Sequence, residues 1–417
     1  MKRIQRCLCI VMGLVLPYLA HAQNLNKTAT PLTISDAIEK TLLNHYTPQI
    51  QKTAIEQARG QRKSAGSLPN PILSYYREDL RFAGQETGEW ILSGQLPLNF
   101  LWERWPAVST ASAFVEAEEA RLRDVERTLI FTIRKTFIEY AHAQRIYAGW
   151  QRGIRTLEEI KQTGRARMNE GDISGYEYQR IVLEILRYEK TAAEAEIHWT
   201  LKKSELAYLV NPDAPDNEIE IVYPDRVAFP TITLEDISAA ALENRPDLKA
   251  DLALLRSRQA ALSAAKWQRL PEISLGAGYK EQRDHFSGAV IQLNLGIPLF
   301  DRNQGQVQEA KAAAQGQRLQ YAASKKQALL EVRHAFERMQ IYGKRYRQHE
   351  LAKAAAPDQL LQVARISYQE GETSLIQLLD AVRTYVETLQ IQEDLLMQYR
   401  LSIYDLERVS GMSLVEP

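Results

Sequence analysis

The same short turn is written twice in this chain, 200 residues apart. "MNEGDISGYEYQ" (168–179) and "YQEGETSLIQLL" (368–379) share Glu-Gly-acid-x-Ser in one order, with Gly171 matching Gly371. Four further pairs keep nearly the same offset. "LTISDAIEKTLLNH" (32–45) lies over "ITLEDISAAALENR" (232–245), and "SLPNPILSY" (67–75) over "RLPEISLGA" (269–277). "QLPLNF" (95–100) lies over "NLGIPLF" (294–300), and "ELAYLV" (205–210) over "DLERVS" (405–410). A tandem duplication accounts for all of them. The first copy takes 23–210, a connecting segment 211–232, and the second copy 233–417.

Each copy reads as helix, strand, strand, very long helix, turn, helix. The strands fall at about 71–98 and 272–299, where apolar residues recur with period two: Trp90, Leu92 and Leu96 against Ser93 and Gln95. Ile273, Leu275, Ala277 and Tyr279 alternate in the same way, as do Ile291, Leu293 and Leu295, so each strand has one wet and one apolar face. "PILSYYREDL" alternates poorly and is assigned as a strand by its place in the repeat. From 107 to 168 there is no proline, and Gly149, Gly153 and Gly164 are the only glycines, which predicts one long helix; its counterpart from about 304 to 369 is interrupted at Pro357. Leu375, Leu379, Val382, Val386 and Leu389 then step by four and three, the spacing of helices packed as a coiled coil. A helix over 100–168 is about 100 Å long at 1.5 Å per residue. The shorter helices at 34–66 and 176–209, stacked end to end, match it in length. Each half is therefore expected to form two antiparallel columns, turning at about 169–175 and 369–374.

Composition excludes several function classes. Lys plus Arg and Asp plus Glu both number 52, which argues against a nucleic-acid binder driven by a basic field. "MKRIQR", an apolar run and "AHA" form an export leader over 1–22, and both cysteines, Cys7 and Cys9, lie inside it. The processed chain then has no disulfide, thiolate metal site or lipid anchor. Its histidines are scattered, with no H-x-x-x-H spacing, and nucleotide-loop and hydrolase motifs are missing, so no metal, cofactor or enzymatic activity is expected. With no other long apolar run, such a chain meets a membrane only as strands. Four strands are too few to close a barrel, so copies must combine. Tyr75, Tyr76, Trp90, Tyr279 and Phe286 on the strands, with Phe100, Trp102, Trp105 and Phe300 just past them, are candidate interfacial girdles.

The leader, the duplication, "NRPDL" (244–248), "LP" before a hairpin, "PLF" after one and a glycine turn opening each return helix together resemble the TolC family of outer-membrane efflux proteins. "LPNP" (68–71) before an acidic-aromatic first strand is similar to the branch serving heavy-metal resistance-nodulation-division pumps. The resemblance implies a mainly α fold with a β-barrel portion: a homotrimer with a twelve-stranded barrel in outer-membrane lipid and a helical tunnel across the periplasm. It also implies a periplasmic adaptor and an inner-membrane pump as partners, and an exit duct for heavy-metal cations as the function. A drug-efflux or type I secretion channel is the alternative, and a periplasmic coiled-coil scaffold the alternative of another class.

The glycine turns become periplasmic tips in this reading. Gly171 and Gly371 suit positive φ at a helix end, and Ser174 and Ser374 suit N-caps; with Asp172 and Glu372 they are candidate adaptor contacts. The resemblance further implies an acidic constriction just beyond, with Glu177 and Asp380 as its carboxylates and Gln377 standing where a second acid is common. Tyr368 is expected to donate a hydrogen bond to Glu177 and latch the closed state.

Overall fold

The computed structural model describes residues 31–215, 219–223, 227–351 and 357–414. The export leader expected over 1–22 lies outside the described residues. In chain order the elements are α1 (Ile34–Asn44), α2 (Tyr46–Gly66), β1 (Ile72–Phe82), β2 (Gln85–Pro97), α3 (Phe100–Glu170) and α4 (Gly175–Val210). There follow α5 (Leu234–Asn244), α6 (Pro246–Trp267), β3 (Glu272–Gln282), β4 (Ser287–Gly296), α7 (Gln304–Leu351), α8 (Pro357–Gln369) and α9 (Leu375–Ser410). The four strands form one antiparallel sheet in the order β1-β2-β3-β4, and none of the described helices is long and apolar enough to cross a membrane.

Helix starts explain several of the repeated landmarks. Thr33 caps α1 and Thr233 caps α5, each through its hydroxyl to the backbone N–H three residues on, at Asp36 and Asp236. The entry helices expected over 34–66 and 234–267 are each broken in two. At Arg245 the backbone leaves the helical region (φ −58°, ψ 122°), because Pro246 crowds a helical conformation in the residue before it and itself opens α6. At His45 the break has no proline. There the imidazole Nδ1 accepts the Thr47 N–H at 3.3 Å and starts α2 as a cap.

The 71-residue α3 is the pole around which the chain packs. Its outer half meets α2 and α6, and its inner half meets α4 and α9. Leu129, Ile133, Phe137 and Tyr140, then Gly149, Gly153, Leu157, Ile160 and Gly164, are buried at steps of three and four, apart from the skip between Tyr140 and Gly149. The glycines admit their neighbours closely: a Cβ on Gly153 would lie 3.2 Å from the Tyr188 ring of α4 and 3.3 Å from Val386 of α9. Toward the sheet, Ala117 and Ala120 of α3 are buried, as are Ala250, Ala253 and Ser257 of α6, whose hydroxyl donates to the Thr110 carbonyl at 2.9 Å. On α9 the buried line runs Leu375, Leu378, Val382, Tyr385, Val386, so Leu378 replaces Leu379 at the centre of the expected heptad.

The connecting segment belts the middle. Leu32 pairs with Ile221 in a short parallel bridge, and Tyr140 donates its hydroxyl to the Ile219 carbonyl at 3.1 Å. The Tyr223 ring lies under the Arg145 guanidinium at 3.3 Å, and its hydroxyl donates to Glu393 at 3.2 Å.

The "NRPDL" motif is a joint between the halves. Arg245 is 4% exposed and holds Asp247 at 2.6 Å, Glu331 at 2.8 Å and the Val409 carbonyl at 3.3 Å. Asp247 also faces Arg127 of α3 at 3.7 Å, tying the second half to the first. Burial pushes the Asp247 carboxyl up, but the paired bonds and charge of Arg245 outweigh it and hold the group below its usual range. A depressed carboxyl stabilises the fold above its unfolded pKa of about 3.9, and that contribution is lost as pH falls through the lower folded value. Replacing Arg245 with Ala leaves Asp247 and Glu331 without their buried partner and is expected to destabilise by about 3–5 kcal/mol. Denaturant titration of the helical circular dichroism measures it, and Asp247→Asn should flatten the loss of stability below about pH 4.

Candidate functional site

Two places in the fold carry functional geometry: the two faces of the sheet and the paired turns at the far end of the helices. On the sheet, cross-strand partners share a face, so the register sorts every side chain. Tyr75 pairs with Leu92 and Leu92 with Tyr279; Leu96 pairs with Leu275, Leu275 with Leu293 and Ala277 with Ile291. All three alternating strands therefore put their apolar sets on one face. That face is open: Leu293 is 60% exposed and Ile291 81%. Tyr75, Trp90 and Tyr279 form a row across it, with ring centroids 6.4 and 5.7 Å apart.

The opposite face is polar. Gln95 donates to Ser274 at 2.5 Å, Asn294 to Ser274 at 3.4 Å and Gln292 to Asn294 at 3.0 Å. Nearer the hairpin ends, Lys280 pairs with Glu89, which also accepts from Gln282 at 3.1 Å. Gly278 lets β3 lie tight against β2 here, since a Cβ would meet the Leu92 carbonyl at 2.5 Å. Tyr76, expected among the girdle aromatics, points to this polar face and donates to Glu78 at 3.1 Å, because it is one residue out of phase with Tyr75. Beyond the strands, Trp105 is 82% exposed and Phe300 92%, while Trp102 turns its indole N–H inward.

At the other end the two turns share one construction. Gly171 and Gly371 take φ of 85° and 80°, the left-handed conformation that ends a helix at little cost in glycine. Ser174 accepts the Glu177 N–H and the Glu177 carboxylate accepts the Ser174 N–H; Ser374 and Gln377 do the same. Glu177 and Gln377 are thus held at helix starts as reciprocal caps. Asp172, Glu372 and Asp380 are exposed, and Asp380 pairs with Arg383 in the next turn.

Tyr368 is placed differently from the expectation. It is 2% exposed, within an apolar cluster that includes Leu157, Ile181, Leu361, Leu378 and Tyr385, so it does not line an open constriction. Its hydroxyl has no hydrogen-bond partner among the described residues, and the Glu177 carboxylate is already engaged by Ser174. Burial pushes the phenol up. The bonds that join the two turns come from residues the sequence reading did not single out. Arg167 lies over the Tyr368 ring at 5.5 Å and donates to the Tyr368 carbonyl at 3.2 Å, and Arg365 pairs with Glu159 at 2.7 Å. Lone arginines in an arginine-rich helix give no sequence signal for this. Among the described residues no three His, Cys, Asp or Glu side chains gather as a metal site.

Residues 237–412, nearly the whole second copy, match the family described as outer membrane efflux protein. The chain is 22% identical over 361 residues to the cobalt-zinc-cadmium resistance protein CzcC of Cupriavidus metallidurans, covering 86% of this chain and 85% of that one. The fold is also that of solved outer-membrane channels. CmeC of Campylobacter jejuni superposes with a TM-score of 0.77 at 16% identity, covering 92% of this chain and 87% of CmeC. CusC superposes at 0.75 and 20% identity, covering 91% and 92%. The chain shares the fold of these channels, mainly helical with a four-stranded antiparallel sheet.

Membrane placement gives the two sheet faces different tolerances. Leu92→Arg puts a charge on the apolar face and is expected to cost about 2–4 kcal/mol where it meets mid-bilayer. Ser93→Arg, one residue along on the polar face, should fold into vesicles nearly as well as the parent. Folding yield into lipid vesicles, read by protease protection, compares them.

Proposed function

We propose that three copies of this chain form a passive exit duct, with a twelve-stranded barrel in the outer membrane and a helical tunnel reaching the periplasmic partners of a tripartite pump. The observation that carries this reading is the register. It gives the three strands β2, β3 and β4 one common apolar face and an opposite face rich in polar side chains, on a sheet whose outer strands β1 and β4 each have one neighbour. In lipid an unpaired strand edge costs several kcal/mol per group, so β1 of one copy pairs with β4 of the next. Four strands from each of three copies then enclose a polar lumen.

The turns are the inner end of the duct, where an adaptor and an inner-membrane pump dock around Gly171, Asp172, Ser174, Gly371, Glu372 and Ser374. The constriction is lined by Asp380, with Glu177 and Gln377 behind it as helix caps. Three-fold symmetry brings like carboxylates together, which favours cations. Likeness to CzcC supports divalent heavy-metal ions as cargo. The pump selects the ion and the duct conducts it, with no chemical step.

Detergent-extracted full-length protein is expected to run as a trimer and to conduct in planar bilayers. Asp380→Asn removes one charge per copy and should lower cation over anion preference at 0.1 M salt or below, with less effect at 1 M, where the screening length is about 3 Å. Loss of the gene should sensitise cells to cobalt, zinc or cadmium; sensitivity to dyes and detergents instead would point to a drug duct. A monomer that never conducts would end the duct reading.

A further inference from the structure

The outer end of the sheet's apolar face carries a charged cluster that conduction does not use. We propose that Arg77, Arg81 and Arg283 bind the phosphate groups of the anionic glycolipid of the outer leaflet, lipopolysaccharide. The inference rests on the sheet being membrane-embedded with its hairpin ends outward.

Three observations place the site. Arg77 and Arg81 alternate in phase with Leu73 and Tyr75, so they lie on the apolar face. Arg77 is the cross-strand partner of Trp90, and Arg81 stands four residues further toward the Ala83–Gly84 turn, about 13 Å along the strand. Going outward, this face therefore runs from aliphatic residues to an aromatic row to guanidinium groups, the order in which a bilayer runs from chains to interface to headgroups. The helices leave from the other end of the strands, so the cluster sits at the leaflet away from them.

Within the ion pairs of the cluster, guanidinium groups outnumber carboxylates. Asp79 is held by Arg77 at 2.9 Å and Arg283 at 3.1 Å, and Glu86 by Arg81 at 2.9 Å and Arg283 at 2.5 Å. Three guanidinium groups thus surround two carboxylates. Arg81 has one ion-pair partner here and is 77% exposed, and Arg77 is 58% exposed. Each guanidinium carries five N–H donors in a fork that fits phosphate oxygens. Glu281, on the same face beside Trp90, and Asp284 in the β3–β4 turn are further acids nearby, and among the described ion pairs neither is held by the three. A cluster serving only to tie the hairpins would be complete with Arg283, which already bridges β1 and β2 from the far hairpin. Arg77 and Arg81 are additions on the outside of that tie.

The test uses full-length detergent-solubilised protein titrated with lipopolysaccharide, with bound lipid counted by native mass spectrometry. Each near-surface arginine contributes several-fold to attraction for anionic headgroups, so Arg77→Gln with Arg81→Gln should weaken lipopolysaccharide binding about tenfold or more. Arg187→Gln, a similarly exposed arginine on α4, should leave it unchanged. Inorganic phosphate should not compete at millimolar concentration, and binding of phosphatidylglycerol, with its single phosphate, should weaken less than that of lipopolysaccharide. Unchanged lipopolysaccharide affinity in the double variant overturns the proposal. So does an equal fall for phosphatidylglycerol, which would mark a general anionic surface. If the double variant does not fold, Arg81→Gln alone removes a single ion pair and should weaken binding severalfold, an unchanged affinity again overturning the proposal. Parent protein that inserts into no vesicle rejects the membrane reading itself, whereas insertion with unaltered lipid preference rejects only this site.

Discussion

The backbone of a half-finished sheet sets the terms for this chain. β1 and β4 each have one neighbour, so each presents a row of N–H and C=O groups along its outer edge. In water such an edge is satisfied by solvent. In a bilayer it is not, and an apolar face built from Leu92, Leu275, Ile291 and Leu293 directs the sheet there. A lone copy cannot be at rest in lipid. In the proposed duct the edges are closed by other copies, and the long helices follow from that. Once the strands of several copies alternate around a ring, the helices below them must stand side by side as staves, each buried against neighbours rather than in a globular core. Among the described residues the apolar clusters stay separate, two of them on α3 and a third between α5, α7 and α9, the form such staves require.

Holding staves together over such a length needs different chemistry at different heights. Near the sheet, small residues of α3 and α6 let backbones approach. At the middle the joint is polar, with Arg245, Asp247, Glu331 and Arg127 satisfied by one another, and Tyr223 clasped by Arg145 and Glu393. Buried pairs of this kind add little net stability over apolar packing but are costly to miss, so they fix the register between the halves. Toward the turns the packing becomes apolar again, with glycine slots at Gly149 and Gly153 receiving Leu389 and Val386.

Period, caps and breakers made much of this fold legible in the sequence. The alternation of Trp90, Leu92 and Leu96 located β2, the proline-free run after 107 located α3, and Gly171–Ser174 and Gly371–Ser374 located the turns. These signals are local, within a few residues of backbone. What the sequence could not give is which side chains meet across elements. The common face of β2, β3 and β4 follows from pairing register, which no single strand encodes. Tyr76 was grouped with Tyr75 because neighbours in sequence look alike, although they face opposite ways. Tyr368 was assigned a bond to Glu177 because both stand near the turns. That assignment overlooked the stronger local claim of Ser174 on the carboxylate. The entry helix looked continuous because an isolated His45 carries no breaker signal, whereas the break at Arg245 could have been read from Pro246.

The two turns are alike in backbone and unlike in charge. The capping geometry tolerates either Glu177 or Gln377, because both oxygens accept the serine N–H equally well. Selection on the fold is therefore blind to the charge at that position. One turn further along the return helix the copies carry Arg180 and Asp380, opposite signs on equivalent backbone. In a strictly six-fold ring of identical turns, every like charge would face its own copy. In the proposed three-copy ring Arg180 and Asp380 alternate at that one position, so a carboxylate such as Asp380 can be presented at the aperture without six like charges crowding it. In that arrangement the divergence of the two turns sets the charge at the aperture, while their shared caps keep the turns in place.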